Sequence, residues 1–359
     1  MNSKNYDHLI SICIPTFSRQ SFLKNILTQL IELVEIYDLN IEVCVSDNCS
    51  TDNTWEFLKE ISKNRNYIKL KSHDRNIGGN RNLIDITSMA TSNWILVIGD
   101  DDMIIKEGLI KLIEFLPKLE QFDYVLLNTK LDDDTNLLNL RNGPQDISSL
   151  KRSLVRSINE YGFCGSHLMT SDVAKEMRIR NYEDLRTWPS FGTFIYSTFH
   201  LDKKIYFFET PVVWQDANGQ AMTWQPNHWL RLMVRMLNVF LINLNNYSDD
   251  SFRINVIKNN ISSTLFFKSF YRSLIYLKKD TLDTLKSEEY KNLISVLPWY
   301  TKIRNIILIS FIRMIPNQLT LFIIKRILNK NVNDYVYTGN LDEKDGISQD
   351  PDILTKSNE

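Results

Sequence analysis

An α/β fold built on a doubly wound, mostly parallel sheet is what the sequence predicts, on three observations. Short apolar runs alternate with segments of helical period from the first residues onward. Four of those runs end in polar segments rich in Asp, Asn, Ser, Gly and Arg. Such segments are expected where the strands of an open parallel sheet deliver a ligand site. The most pronounced is residues 94–103, WILVIGDDDM, which sets five apolar residues directly against Gly99 and three aspartates. The apolar run has the character of a strand buried on both faces. The like charges at its end cost stability unless a cation sits among them. Two readings stay open here. One is a solvated acidic turn capping the helix that starts near Lys106; the other is a site for a hard divalent ion carrying a phosphorylated ligand.

Taken in order, residues 9–14 (LISICI) form a first strand ended by Pro15. Ser21 caps the helix that follows, with Phe22, Ile26, Leu30, Leu33 and Val34 on one face. Residues 41–45 are a second strand running into SDNCSTDNT, 52–61 have helical period, and 68–70 form a short third strand. NIGGNRN, 76–82, is a glycine turn that opens a helix through Ala90. After the 94–98 strand come a helix at 107–116 and a strand at 124–127. Spacing is less regular over 129–224, where 206–208 and 212–214 read as short strands around Pro211. From 227 the pattern turns helical, at 228–244, 254–277, 288–297 and 301–328. Beyond Asn331 acidic residues accumulate with few apolar ones, which reads as a solvated, disordered tail. The expected domains are thus 1–226, divided at 128, then a helical region 227–331 and a tail 332–359.

Composition narrows the class. With 43% hydrophobic and 24% charged residues the chain is expected to be globular and soluble, and a net charge of −1 argues against nucleic acid as a partner. Cys13, Cys44, Cys49 and Cys164 make no CxxC pair, so neither a zinc site nor a disulfide framework is indicated, in keeping with the cytoplasm. The start, MNSKNYDHL, has no secretory character, and no apolar run approaches the roughly 20 residues of a spanning helix.

The polar segments 15–19 (PTFSR), 46–54 (SDNCSTDNT), 75–82 (RNIGGNRN) and 99–102 (GDDD) would share one sheet edge. Each has a plain structural explanation: Pro15 ends a strand, Asp52 caps a helix, Arg81 lies on a solvated face. Together they point to a site. Asp47 is the better ligand of its loop, and Arg81, beside Gly78 and Gly79 at a helix start, is placed to meet a phosphate.

The order IPTFSR, VSDNCSTDNT, NIGGNRN, WILVIGDDD resembles the family 2 glycosyltransferases with the GT-A fold, over about the first third of the chain. The form SDNxSTD followed by GDDD is similar to the abequosyltransferase-type branch, whose members decorate bacterial surface polysaccharides such as O-antigen or capsule. The resemblance implies a Rossmann-like domain with a nucleotide-sugar half (1–128) and an acceptor half (129–226). It puts Pro15, Thr16 and Arg19 beside the nucleotide, Asp47 on the base with Asn48 next to it, and Arg81 near the diphosphate. Asp101 is the position expected to hold Mn²⁺ or Mg²⁺, with Asp100 second and Asp102 in support, and Asp100 also contacts the donor. Gly99 stands where many members carry the first aspartate of the metal motif. The partners implied are a nucleotide-sugar donor and a glycan or lipid-linked acceptor.

Sugar transfer asks for these residue types. A divalent ion bridging two phosphates stabilises the departing nucleoside diphosphate, and one or two carboxylates suffice to hold it. An inverting attack needs a base for the acceptor hydroxyl. The resemblance implies an acidic pair or a lone aspartate well beyond the metal motif, and there NYEDLRTW, 181–188, offers Asp184 first and Glu183 second; Asp172 and Asp216 are weaker, and an exposed acidic turn is the plain alternative. His167 and His228 read as structural or acceptor-binding. Residues 163–169 (FCGSHLM) resemble the family's small-residue strand beneath the acceptor, which implies Gly165 and Ser166 in the sugar pocket; Trp188, Phe191, Trp214 and Trp224 either stack on sugars or fill the core. Residues 299–331 carry six basic and no acidic residues at amphipathic spacing. That pattern suits peripheral contact with the inner face of an anionic membrane, a packed hairpin or a homo-oligomer contact. A nucleotidyltransferase is disfavoured because PTFSR lacks the glycines of a triphosphate loop, and an inactivated scaffold because the aspartates and Arg81 are all present.

Overall fold

Alternate apolar positions on the N-terminal strands have two faces of a sheet to fill, and helices cover both. The structure, a computed structural model, describes residues 9–131, 135–181, 189–215, 229–242, 244, 249–262, 285–300, 302, 303 and 310. Ile10–Thr16 (β1) pairs in parallel with Ile41–Asp47 (β2) on one side and Trp94–Val97 (β4) on the other, and Ile68–Ser72 (β3) adds parallel to β2. The crossovers are Gln20–Glu35 (α1), Thr54–Ile61 (α2) and Gly79–Ile86 (α3). Ile10, Ile12, Ile14, Val43, Val45 and Leu96 meet Leu23, Ile26, Leu27 and Leu30 of α1 on one face. Cys13, Cys44, Ile95 and Val97 meet Leu83 and Ile86 of α3 on the other. Cys13 and Cys44 are therefore core residues.

Past β4 the sheet becomes mixed. Met103–Ile104 (β5), Lys106–Phe115 (α4), Tyr124–Lys130 (β6), Gly143–Pro144 (β7), Ile147–Arg156 (α5), His167–Thr170 (β8), Ser171–Asn181 (α6), Pro189–Phe199 (α7) and Ile205–Trp214 (β9) follow in sequence. The strand order is β3-β2-β1-β4-β8-β6-β9-β5, with β7 on β9. β8 runs antiparallel to both β4 and β6, while β9 is parallel to β6. A strand from well beyond residue 128 is thus built between two strands that begin before it. The expected division at 128 divides the chain and not the sheet. Trp229–Ile242 (α8), Asp250–Ser262 (α9) and Glu288–Ser295 (α10) complete the second helical layer, in which Phe191 and Phe194 of α7 pack with Phe240 of α8.

Several local expectations need correction. β1 does not stop at Pro15; it continues to Thr16, because pairing with β4 ends at Cys13 and leaves room for a residue without an N–H. Ser21 is not a cap, since α1 starts at Gln20 behind Arg19 with no side-chain cap. α3 ends at Ile86 and not at Ala90. The two short strands around Pro211 are one strand, bent by a register shift against β6 between Leu127 and Thr129. The acidic tail, and all of 299–331 except Trp299, Tyr300, Lys302, Ile303 and Ser310, lie outside the described residues.

Candidate functional site

The carboxyl ends of β1, β2 and β4 lie side by side, so the loops that leave them are neighbours by construction. Asp100 is buried and donates nothing but charge. Its Oδ2 accepts the Thr16 hydroxyl at 2.6 Å, and its Oδ1 lies 2.9 Å from Nη1 of Arg19. The same guanidinium reaches Oδ2 of Asp101 through Nη2 at 2.7 Å. Arg19 is the cation that the aspartate triplet requires. Its other face rests on the Phe22 ring, 4.8 Å from the centroid. Burial pushes the Asp100 carboxyl up to about 6 against the pull of Arg19, and the Asp101 charge adds to the rise. Burial lowers Arg19, but the charges of Asp100 and Asp101 outweigh it and raise the guanidinium.

Asp102 folds back on its own loop, its Oδ2 accepting the Gly99 N–H at 2.9 Å. A side chain at Gly99 would place Cβ 2.6 Å from Oδ1 of Asp101 and 2.9 Å from Oδ2 of Asp102. Two carboxylate oxygens therefore converge on the space that the glycine leaves open. This is the physical reason for glycine at 99. Asp101 and Asp102 are also hard oxygen donors on one loop, and in donor chemistry they suit Mn²⁺ or Mg²⁺. Two carboxylates fit an ion whose remaining ligands come from phosphates. Among the described residues no group of three or more His, Cys, Asp or Glu is arranged to hold a metal.

The neighbouring loops are knitted to this one. Asp47 at the end of β2 closes an Asx turn, both its oxygens accepting the Ser50 N–H at 3.2 and 3.3 Å, with the Ser50 hydroxyl on Oδ1. Ser50 Oγ accepts the Ser18 N–H at 2.7 Å, and Ser18 Oγ accepts the Thr51 N–H at 3.0 Å, so the PTFSR and SDNCST loops are stitched together. Asn48 donates to Asn76 Oδ1 and accepts the Ile77 N–H, each at 2.9 Å, joining β2 to the glycine turn. Gly78, at φ 88, makes that turn, and Asn82 anchors α3 by donating to the Ser46 carbonyl at 3.0 Å. Arg81 stands half-buried in the first turn of α3. Asp52 is not the cap of α2, whose N-cap is Asn53; it accepts the Thr54 N–H at 3.0 Å in the turn before the helix.

Of the predicted residues, Pro15, Thr16, Arg19, Asp47, Asn48, Asp100, Asp101 and Asp102 are brought together at the ends of three adjoining strands, and Arg81 on the helix tied to β2. Glu183 and Asp184, the base candidates, lie outside the described residues, as do Trp188, Asp216, Trp224 and His228. Cys164, in the segment before β8, adjoins the site. Burial first, and then the charges of Asp102 and Asp101, push its thiol far up. Gly165 is required there by the Phe163 ring, 2.6 Å from where its Cβ would stand. Ser166 is buried and shares a 3.1 Å hydrogen bond with Thr129. His167 is structural: Tyr124 donates to Nδ1 at 2.8 Å, and Nε2–H donates to the Tyr161 carbonyl at 2.7 Å. Burial lowers it to about 4, so it is neutral. Phe191 is core, and Trp214 donates to the Leu131 carbonyl. The residues that the sequence does not single out are Ser18, Ser50 and Asn82. Their one signal is that each lies within a strand-end segment.

Comparison with known proteins agrees with the geometry. The family model described as glycosyl transferase family 2 matches residues 11–176. Abequosyltransferase RfbV of Salmonella typhimurium is 35% identical over 135 residues, 37% of this chain and 39% of that protein. The chain thus matches about two fifths of the length of its curated relatives. Among solved structures, Staphylococcus aureus TarS 1–349 in complex with UDP-GlcNAc superposes with a TM-score of 0.52 at 14% identity, covering 93% of this chain and 95% of that one. Mannosyltransferase PcManGT from Pyrobaculum calidifontis, in complex with GDP-Man and Mn²⁺, gives 0.50 at 12% identity, with 92% of each chain covered. At such identities the likeness speaks for the fold alone, and that fold is GT-A.

Proposed function

We propose, from the premise that residues 11–176 are a glycosyl transferase family 2 domain, that the protein moves a sugar from a nucleotide-sugar donor to a glycan or lipid-linked glycan in bacterial surface-polysaccharide synthesis, with inversion. The observation that carries this reading is the Thr16–Asp100–Arg19–Asp101 cluster at the ends of β1 and β4. It is stitched to the loops of β2 and α3, which in this reading embrace the nucleotide. Pro15, Thr16 and Asn48 wall the nucleoside, and Asp47 exchanges its bonds to Ser50 for the base. Arg81 faces the diphosphate. Asp101, with Asp102 beside it, is suited to hold Mn²⁺ or Mg²⁺, which when bound neutralises charge developing on the departing diphosphate. Asp100 positions Arg19 at the same edge. Gly165 and Ser166 border the sugar, and Asp184, before Glu183, takes the proton of the acceptor hydroxyl, an assignment that rests on position in the sequence.

The reading also places the protein on the inner face of the plasma membrane. Among the described residues no helix is long and apolar enough to cross a membrane. Trp299, Tyr300 and Ile303 are exposed at the start of the basic segment, the kind of residues that settle at a lipid interface.

The experiment is a binding and turnover panel of UDP-, GDP-, CDP- and dTDP-sugars with Mn²⁺, reading the nucleotide released. One donor is expected to bind and to leave a nucleoside diphosphate. Asp184→Asn is expected to lower kcat by about 10²–10⁴ while donor affinity stays. Release of pyrophosphate, or no binding of any donor, would overturn the proposal.

A further inference from the structure

We propose that Arg19 is a built-in counter-ion that makes divalent-cation binding depend on the diphosphate. This rests on the reading above. One guanidinium spans two carboxylates, at 2.9 Å from Asp100 and 2.7 Å from Asp101. An ion taken up by Asp101 would share that carboxylate with a fixed positive charge, in a half-buried site where screening is weak. The ion alone therefore meets a neutralised acid and a repelling neighbour. A diphosphate changes this balance. Guanidinium groups bind phosphate through two parallel N–H donors, and Arg19 has one in reserve: its Nε is buried and makes no hydrogen bond among the described residues. Turning that edge to a phosphate gives Nε a partner and frees Oδ2 of Asp101 for the ion. Arg19 is also the N-cap of α1, outside the regular helix, with φ −138. Its head is fixed by the two carboxylates and the Phe22 ring, and exchanging the first for phosphate leaves the second in place. Arg19 is thus a positioning residue that sets the order of assembly: diphosphate and ion favour each other, and neither is well held alone. By linkage the effect is reciprocal.

The test is Mn²⁺ binding to the full chain, read from the spin resonance of free Mn²⁺, for the wild type, Arg19→Gln and Arg19→Lys. Each is measured alone and with each of UDP, GDP, CDP and dTDP. Arg19→Gln is expected to bind Mn²⁺ alone about tenfold more tightly than the wild type, and Arg19→Lys close to it. The nucleotide that binds is expected to tighten Mn²⁺ about tenfold or more in the wild type and clearly less in Arg19→Gln. Equal or weaker Mn²⁺ binding by Arg19→Gln overturns the role of Arg19 and leaves the glycosyltransferase reading standing. No Mn²⁺ binding by any of the three, with or without the nucleotides, overturns both. Should the variants fail to fold, the ¹⁵N resonances of the Arg19 side chain in the wild type decide. They are expected to move when Mg²⁺ and the nucleotide are added together and to stay with Mg²⁺ alone; the opposite pattern sinks the proposal.

Discussion

The two edges of the parallel sheet each bury a carboxylate, and they treat it in opposite ways. At the amino edge Glu42 of β2 is fully buried. It receives the Thr91 N–H at 2.8 Å, the Thr91 hydroxyl at 2.6 Å, the Ser11 hydroxyl and the Lys69 ammonium. Burial alone would raise its pKa, yet Lys69, Ser11 and Thr91 together lower it. At the carboxyl edge Asp100 is equally enclosed but has the Thr16 hydroxyl, one guanidinium shared with Asp101, and a like charge next to it, and its pKa is raised to about 6. One acid has more donors than it needs; the other has fewer, and competes for them. A carboxylate saturated by the protein supports the fold, whereas one left short of partners is available to something else.

The sharpest way to break this comparison is Asp101→Ala. Transfer is expected to fall by about 10³-fold or more, which is about 4 kcal/mol of transition-state stabilisation, with thermal stability nearly unchanged. Full turnover by this variant in the presence of a chelator would end the idea that the carboxyl edge holds a metal.

Glu42→Gln should do the reverse. Urea unfolding is expected to show a loss of about 2–4 kcal/mol, because buried hydroxyls and Lys69 lose a charged acceptor, with transfer per folded molecule retained. A variant as stable as the wild type would make the amino edge no more structural than the other.

A smaller effect separates the two by pH. The raised pKa of Asp100 means that the folded chain holds a proton which the unfolded chain releases between its ordinary carboxylate value and about 6. Its contribution therefore falls as pH rises through that window, and none of it remains above 6. Glu42, lowered, contributes above the ordinary glutamate value and loses that contribution as pH falls through its folded pKa. Glu42→Gln should accordingly flatten the acid limb of a stability–pH profile, and Asp100→Asn should remove the decline toward pH 6. Profiles that respond the other way round would reverse the assignment.

The carboxyl edge was the legible part of this protein. Aspartates after an apolar strand, asparagines and glycines before a helix, and a polar loop after each strand are consequences of short-range chemistry that a sequence displays. What binds them is less visible. That Arg19 bridges Asp100 and Asp101 depends on β1 and β4 being neighbours, and the amino-edge site at Glu42 draws on Ser11, Lys69 and Thr91 from three other segments. Ser18 and Ser50 look like ordinary loop residues until two loops are laid together. Pro15 misled because a proline inside a strand depends on where the partner strand stops. β8 shows only through the resemblance of residues 163–169 to a family strand, since a four-residue strand between two longer ones is specified by its neighbours more than by its own pattern.

That short strand also bears on how the chain comes off the ribosome. β1 to β4 emerge first, carrying all four loops of the carboxyl edge, but β4 has no neighbour on its outer side until His167–Thr170 arrives. At about 5–20 residues per second, the stretch between Ile98 and His167 leaves that edge bare for several seconds. During that time a nearly finished set of four parallel strands presents an unpaired, apolar strand to any other nascent chain. Ribosome pausing or crowding in this interval, more than any defect in the finished fold, is where production of this protein is most exposed to aggregation.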